Sequence, residues 1–335
     1  MLSTMIEGCV ESGRDLTNGG AKYHTIAPMF VGLATTIDSL YAIKKMVYDE
    51  ESAVCTLPEM LDCLQNDWGY DMQEPSQSTL EGQTRIDVTA KQYKQWRQIA
   101  LNLPKFGNGH LEVDEIGTWL SRKMCDMAMD TLNNPPSPLK ETLENLEKNY
   151  STPNRKWKLH LCPGVGTFEG YVGDGAGSGA SADGRRNGQP YPSDFSPTPV
   201  PQDLDAIPQH EDSTQPIPGT YREIYKAMNS WDSKEIYHKI SNASPVDLNV
   251  KEDFPLKDMV KFITEYSKGK VGSNLITITV ADPDTYQMAA QEPERFELVR
   301  VRMGGWIEYF AAMFPEHQKQ HERRPFFIPE KKSKK

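Results

Sequence analysis

The sequence is poor in several features that mark particular classes of protein. It holds five cysteines among 335 residues, too few for a disulfide framework, so reduced thiols and a cytoplasmic location are expected. No apolar run approaches the roughly 20 residues that a membrane-spanning helix needs. Glu7 and Glu11 lie too early for a secretory signal peptide. The composition therefore predicts neither a membrane protein nor a secreted one.

Positive charge is also in deficit. The chain has 37 Lys and Arg residues against 47 Asp and Glu residues, for a net charge of −10. Proteins that bind nucleic acid need a basic surface facing the phosphates, so nucleic acid is not expected as a partner. The lysine-rich end, residues 331–335, is predicted to be a short solvated tail.

The most informative stretch runs from residue 297 to residue 310. Leu298–Met303 alternates apolar and polar residues, which predicts a strand. Gly304 and Gly305 follow, and because neither carries a Cβ they allow a tight turn and a close approach of other groups. Helical spacing is shared by the three aromatic residues Trp306, Tyr309 and Phe310. The pattern therefore predicts a strand, a turn and a helix.

The same stretch carries a family resemblance. The segment from Arg302 to Trp306 resembles the Arg-Val-Ser-Gly-Tyr type of loop of the glycyl radical enzymes, the pyruvate formate-lyase family. Aligned through Tyr309 and Phe310, the radical glycine falls on Gly305. A backbone radical at Cα is delocalised between the amide nitrogen and the carbonyl group, which requires planarity that a side chain would obstruct. Glycine also lets a cysteine sulfur approach the Cα closely.

Other blocks extend this resemblance over nearly the whole chain. They are Asp15–Tyr23, the Gly107-Asn-Gly109 loop before Asp114, and Ala180–Arg186. The resemblance implies an α/β fold, the C-terminal part of a ten-stranded barrel of the pyruvate formate-lyase type. We expect that barrel part in residues 1–205 and the glycine radical domain in residues 214–335. Eight prolines between residues 190 and 218 predict an irregular connector between them.

Periodicity predicts further elements. Leu2–Val10 reads as a helix, with Leu2, Met5, Ile6 and Cys9 on one face. A second helix is predicted to be capped by Thr36 or Asp38 and to bury Leu40, Ile43, Met46 and Val47. Residues 80–150 are predicted to be mostly helical, with loops at 104–109 and 133–136. Later elements are a strand at Lys156–Leu161, a helix ending at Gly269, a strand at Asn274–Val280 and a helix at Pro283–Gln291.

The cysteine that would receive the radical has two candidate locations. Cys9 and Glu11 resemble the Cys-x-Glu loop of several subfamilies. Against this, the predicted helix places Cys9 on an apolar face, where free cysteines act as small hydrophobes, and the residues after it match a later block. The chain also starts inside a predicted helix. The alternative is therefore a cysteine-bearing N-terminal part or subunit. Glu74, in a predicted loop, is a candidate substrate-facing carboxylate.

Three features of the sequence could indicate a metal or cofactor site, but each has a simpler interpretation. His317 and His321 stand four apart, but basic neighbours favour a solvated helix face over a zinc site. Cys55 and Cys63 lack the spacing of a metal-binding pair. A nominal dinucleotide fingerprint at residues 175–180 lacks the required strand before it and helix after it. No bound metal or cofactor is predicted.

Within the family, the Gly-Gly-Trp loop and the Phe314–His321 tail look most like 4-hydroxyphenylacetate (arylacetate) decarboxylases. The resemblance implies an anaerobic lyase whose radical is installed by an S-adenosylmethionine-dependent activating enzyme with a 4Fe–4S cluster. It also implies a small iron–sulfur subunit as a partner. Two alternatives remain open: a glycyl radical dehydratase or other C–C lyase, and a non-catalytic glycyl radical protein that docks on a partner.

Overall fold

The computed structural model describes residues 1–72, 88–166, 170–192, 195–198, 218–220, 239–269, 273–303, 306–323 and 326–328. Its α-helices are α1 (Cys9–Ser12), α2 (Leu33–Ile43), α3 (Leu57–Gln65), α4 (Ala90–Asn102), α5 (Leu111–Asn133), α6 (Ser137–Tyr150), α7 (Gly170–Ala176), α8 (Leu256–Ser267), α9 (Pro283–Gln291) and α10 (Pro315–Arg323). Its strands are β1 (His24–Ile26), β2 (Met29–Phe30), β3 (Leu159–Leu161), β4 (Gly164–Val165), β5 (Pro218–Thr220), β6 (Pro245–Val250), β7 (Leu275–Val280), β8 (Arg300–Met303), β9 (Trp306–Tyr309) and β10 (Phe326–Ile328).

Most of the described strand pairs are parallel. β1 pairs with β3, and β2 pairs with β4. β6 pairs with β7 along its whole length and with β10 on its other side, and β10 also pairs with β5. The amide of Val165 donates to the carbonyl oxygen of Ala243 (2.8 Å), which ties β4 to the segment before β6. The predicted α/β class is confirmed, with sheets of two to four strands in the described part of the chain.

Three clusters of buried side chains hold these elements together. The first joins α2 and α5 to β6 through residues such as Ile37, Val113 and Val246. The second surrounds Trp68 and Tyr93 between α3 and α4. A third, smaller cluster consists of Ala281, Tyr286, Ala289, Val301 and Phe310, and it supports the stretch that carries Gly305. Nowhere in the described ranges is a helix long and apolar enough to cross a membrane.

Several predicted elements are confirmed. The helices of residues 90–150 are separated at the predicted loops. α9 spans Pro283–Gln291 as predicted, and β7 begins one residue after the predicted strand start. α8 ends before Gly269, whose φ of +68° suits glycine at a helix end. Most of the proline-rich connector lies outside the described residues.

Two helix predictions near the N-terminus differ from the structure, the first in the kind of helix and the second in its start and in one residue of its buried stripe. Leu2–Met5 forms a 3-10 helix, and α1 begins only at Cys9, because Gly8 takes a φ of +96° between them. Leu2 and Met5 are exposed, so no apolar face is buried there. α2 begins at Leu33 after Gly32, which moves Thr36 and Asp38 inside the helix. Leu40 lies at the surface rather than in the buried stripe.

The helix predicted after Gly305 is also wrong. Residues 306–309 form β9, followed by a 3-10 turn at Phe310–Ala312. The aromatic spacing does not mark one face of a helix, because Phe310 is buried while Tyr309 lies on the outer side of the strand. The predicted strand before the glycines is confirmed in its last four residues, as β8.

Candidate functional site

The stretch singled out by the sequence forms a β-hairpin. β8 and β9 pair antiparallel, in a register that sets Met303 opposite Trp306. Only Gly304 and Gly305 stand between those two residues in the sequence. Both glycines lie outside the described residues. Two-residue hairpin connections generally use turns with positive φ, which glycine adopts without strain. The residues on either side of the two glycines are thus the paired ends of two antiparallel strands.

The base of this hairpin is anchored by packing. Val301 in β8 and Phe310 after β9 are both buried in the third cluster. The ring of Phe310 lies against that of Tyr286 in α9, with centroids 4.8 Å apart. Full burial of such side chains stabilises each by about 1.5–3 kcal/mol. The hairpin is therefore fixed at its base, on the side away from the glycines.

Hydrogen bonds stabilise the hairpin both at its base and near its glycine end. The amide of Phe310 donates to the carbonyl oxygen of Val299 (2.9 Å). The amide of Arg302 donates to Oγ1 of Thr279 in β7 (3.3 Å). From α10, the side-chain amide Nε2 of Gln318 donates to the carbonyl oxygen of Phe310 (2.8 Å). These bonds connect the hairpin to the β6–β7 sheet and to α10.

The same helix α10 carries the two histidines that were predicted to share a solvated face. That prediction is wrong for His321, which is fully buried, and His317 is partly buried. Asn249 in β6 donates from Nδ2 to the carbonyl oxygen of His321 (3.2 Å). The C-terminal half of α10 is thus docked on the sheet. No group of three potential metal-binding side chains occurs within the described residues.

The outer side of the hairpin is open. Leu298 is 70% exposed and Ile307 is 56% exposed. The guanidinium of Arg300 lies 5.3 Å from the ring centre of Tyr309 and covers part of it. A shallow groove of about 490 Å³ runs beside Leu298 and Tyr309. The hairpin therefore has one buried end and one accessible apolar side.

The structure gives Cys9 and Glu11 local roles. Cys9 is only 3% exposed. A carboxylate oxygen of Glu11 accepts a hydrogen bond from the amide of Gly8 (2.9 Å), which caps the start of α1. The described contacts do not bring these two residues to the β8–β9 hairpin. Glu74, the third candidate, lies outside the described residues.

The remaining cysteines are free thiols. Burial raises the pKa of Cys55 to about 12 and that of Cys125 to about 11, and it raises the pKa of Cys63 further. Since the thiolate is the reactive form, these three side chains are suited to packing rather than to nucleophilic or metal chemistry.

The sequence reasoning named Asp38 and Asp114 but did not predict that their carboxyl groups are buried at the Gly-Asn-Gly loop. Asp38 accepts hydrogen bonds from the amide of Phe106 (2.7 Å) and from Oγ1 of Thr198 (2.7 Å). Asp114 accepts from the amide of Gly107 (3.0 Å). Burial raises the pKa of each carboxyl to about 7. The loop that resembles a family motif is thus tied to α2 and α5 by acids that lie inside the helices.

The Ala180–Arg186 segment is held by long-range contacts. Trp68 donates from its indole Nε1 to the carbonyl oxygen of Arg185 (3.2 Å). Lys105 donates from Nζ to the carbonyl oxygen of Asp183 (2.9 Å), and Arg97 donates from Nε to that of Gly184 (2.8 Å). Three buried side chains therefore bind consecutive backbone carbonyl groups, which gives this second family motif a fixed path.

Comparison with known proteins agrees with the motifs. Residues 1–142 match the family described as pyruvate formate lyase-like. The chain is 24% identical to the 4-hydroxyphenylacetate decarboxylase glycyl radical subunit of Clostridioides difficile over 315 residues. The aligned region covers 91% of this chain and 30% of that protein. The chain is 23% identical over 324 residues to the (2S)-3-sulfopropanediol dehydratase of Klebsiella oxytoca, covering 95% of this chain and 32% of the dehydratase.

A solved structure gives the same result for the fold. A glycyl radical enzyme from Archaeoglobus fulgidus superposes with a TM-score of 0.65 and 21% sequence identity, over 97% of this chain and 34% of the other. The chain spans about a third of the length of these relatives. The resemblance is therefore confirmed: this chain is similar to glycyl radical enzymes over most of its length, and its residues 1–142 match the pyruvate formate lyase-like family.

Proposed function

We propose that this chain stores a backbone radical on Gly305 and uses it for cleavage of a carbon–carbon bond, the decarboxylation of an arylacetate such as 4-hydroxyphenylacetate. The observation that carries the proposal is the hairpin whose two-glycine connection follows Arg302-Met303 and precedes Trp306. Its base is buried and hydrogen-bonded, which would hold a reactive glycine in a fixed position. The proposed setting is the C-terminal part of a ten-stranded barrel, in residues 1–205, and a glycine radical domain, in residues 214–335.

The radical would be installed by an activating enzyme. An activating enzyme with a 4Fe–4S cluster and S-adenosylmethionine would supply the carbon radical that takes one hydrogen atom from the Cα of Gly305. The glycine radical then takes a hydrogen atom from a cysteine thiol, and the thiyl radical starts the reaction on the substrate. The thiyl radical would first remove one hydrogen atom from the substrate. Loss of CO₂, uptake of one proton and return of that hydrogen atom would then convert the CH₂–COO⁻ group to a methyl group.

The thiyl cysteine is proposed to lie on a cysteine-bearing part or subunit outside this chain. Cys9 is buried, and Glu11 is engaged in capping α1. A small iron–sulfur subunit is a further proposed partner. The dehydratase reaction remains the second candidate, because the identity to a dehydratase nearly equals the identity to the decarboxylase. A third candidate is a non-catalytic radical protein that docks on a partner, and the open side of the hairpin favours it.

Electron paramagnetic resonance tests the radical site. Anaerobic activation should give a doublet, since one α-hydrogen remains on the glycine radical. The doublet should be absent in Gly305→Ala and present in Gly304→Ala. Air exposure should cut the backbone at Gly305 and release residues 306–335, which intact-mass analysis detects. A doublet that survives in Gly305→Ala would place the radical elsewhere.

The substrate is tested separately, with the activating enzyme and the cysteine-bearing partner present. The decarboxylase proposal expects CO₂ and 4-methylphenol from 4-hydroxyphenylacetate, in equal amounts. Turnover of a diol to an aldehyde and water, without CO₂ from the arylacetate, would favour the dehydratase. A radical without either turnover would favour the docking protein.

A further inference from the structure

The β6–β7 sheet has one polar face. Along β7, Ile276 and Ile278 pack against the first cluster, so the alternate residues Thr277 and Thr279 lie on the opposite face. Both threonines are buried, with 4% and 6% of their surface exposed. A hydroxyl group buried in a strand is costly unless it is hydrogen-bonded, so each of the two needs a partner.

The two threonines have partners in different places. Thr277 donates from Oγ1 to the carboxylate of Asp247 in β6, which keeps that bond within the sheet. Thr279 accepts at Oγ1 from the amide of Arg302 (3.3 Å), so its bond leaves the sheet and reaches β8. Asn249, the register partner of Thr279, also donates out of the sheet, to a backbone carbonyl oxygen of α10. This end of the polar face therefore holds elements that follow the sheet in the sequence.

The amide of Arg302 lies on the edge of the hairpin that faces away from β9. In an antiparallel pair, alternate residues direct their backbone groups towards the partner strand. The bond from the Phe310 amide to the carbonyl oxygen of Val299 marks Val299, and every second residue after it, as the set that faces β9. Arg302 is outside that set, and β8 pairs with no strand but β9 in the described part of the chain. Thr279 thus supplies the acceptor that another strand would otherwise provide.

We infer that Thr279 is a positioning residue for the radical chemistry, because its hydroxyl group fixes the glycine end of the hairpin against the sheet. Arg302 is two residues from Gly304 in the sequence, whereas Phe310 anchors the opposite end of the hairpin. A two-stranded hairpin is only marginally stable by itself, so a second attachment limits the movement of the strand that leads into the glycines. The consequence for the radical rests on the function proposed above, and the attachment itself does not.

Hydrogen exchange at single-amide resolution tests the attachment in the full chain. Thr279→Val keeps the branched shape but removes the acceptor, so the Arg302 amide should exchange about tenfold faster, the effect of losing one hydrogen bond. Thr279→Ser keeps the hydroxyl group and should restore the exchange rate to within about twofold. Thr277→Val is the matched control, because it removes a buried hydroxyl group on the same face whose partner is Asp247 and not the hairpin. It should leave the Arg302 amide unchanged.

Electron paramagnetic resonance after anaerobic activation tests the consequence for the radical. The glycine doublet should be several-fold weaker in Thr279→Val, restored in Thr279→Ser and unchanged in Thr277→Val. A general loss of stability would weaken the doublet in both valine variants, so this pattern separates positioning from stability. If circular dichroism shows that Thr279→Val fails to fold, Thr279→Ala carries the test. Thr264→Val, at an exposed helical hydroxyl group, replaces Thr277→Val in the same case.

Three exchange results would overturn the inference: an unchanged Arg302 amide in Thr279→Val, equal acceleration in Thr277→Val, or no restoration by Thr279→Ser. A full-strength doublet in Thr279→Val would overturn it as well. Absence of the doublet from the original protein would count against the radical site alone, because the exchange result then decides the attachment by itself.

Discussion

The guanidinium of Arg186 and the carboxylate of Asp67 form a buried ion pair across 119 residues of sequence. Nε of Arg186 donates to Oδ2 of Asp67 at 2.9 Å, and Nη2 donates to the same oxygen at 2.5 Å. The other oxygen, Oδ1, accepts from the amide of Asn187 at 2.8 Å. Asp67 takes a φ of +49°, in the left-handed region. This pair fixes the Ala180–Arg186 motif against the turn after α3.

Asp67→Asn should destabilise the protein. The substitution tolerates the left-handed backbone but removes the carboxylate that faces the largely buried Arg186 guanidinium, which costs roughly 3 kcal/mol. Urea denaturation followed by circular dichroism measures the change. Glu292→Gln is the control, because its pair with Arg295 is exposed and its loss should change stability by less than about 0.5 kcal/mol. Equal effects of the two substitutions would contradict the assigned role of the buried pair.

Asp38 should make stability fall with rising pH. Its pKa is raised by burial from 3.8 to about 7, so the folded state holds the proton more tightly than the unfolded state does. The resulting stabilisation is complete below about pH 4, is lost as pH rises towards 7, and changes no further above that. Between pH 5 and pH 8 the loss from Asp38 should be about 3 kcal/mol.

Asp38→Asn should remove that part of the pH dependence, because asparagine does not titrate and can still bond to Phe106 and Thr198. Unfolding by urea at pH 5 and pH 8 measures it in each protein. Asp253→Asn makes the same chemical change at an exposed position and is the control. If the Asp38 variant retains the full slope, this carboxyl group is not the source.

Phe310→Ala should loosen the hairpin and lower the yield of any radical formed on it. Phe310 is fully buried against Tyr286, and truncation of such a ring costs about 3–5 kcal/mol. Hydrogen exchange of the β8 and β9 amides should accelerate. Leu298→Ala on the open side should cost less than about 0.5 kcal/mol. Slow exchange retained in Phe310→Ala would show that the anchor lies elsewhere.

Thiol reactivity should follow burial. Cys63 and Cys125 are buried with raised pKa values, so iodoacetamide at pH 8 should modify them slowly in the native protein. Cys162 is partly exposed and should react faster. Peptide mass mapping of timed samples measures the order, and all five thiols should react at similar rates in urea. Early modification of Cys63 would contradict the described packing.

Local patterns predicted some elements to within a residue. α9 starts at Pro283, which fits the first turn of a helix, and β7 alternates regularly. The strand β9 was missed because Trp306, Tyr309 and Phe310 also fit a helical period. A Gly-Gly pair between two short apolar runs is itself a hairpin signal and could have corrected the prediction.

Contacts between residues far apart in the sequence could not be predicted from local patterns. Thr36 and Asp38 look like helix caps, yet α2 begins at Leu33, after the positive-φ residue Gly32, so Asp38 lies inside the helix and is buried. Its partners Phe106 and Thr198 lie 68 and 160 residues away. No local periodicity of the sequence indicates such long-range hydrogen bonds. Gly305 as the radical site, in contrast, came from a motif alone, and it stays a prediction.

Leu103, at the end of α4, packs against both of the larger buried clusters. Because Leu103 contacts both clusters, we expect them to unfold together in a single transition. None of the described residues assigned to the third cluster is shared with the other two. The part of the protein that supports the hairpin can therefore open by itself, at a lower free energy than global unfolding. A radical stored there would be exposed to oxygen by this local melting long before the protein denatures.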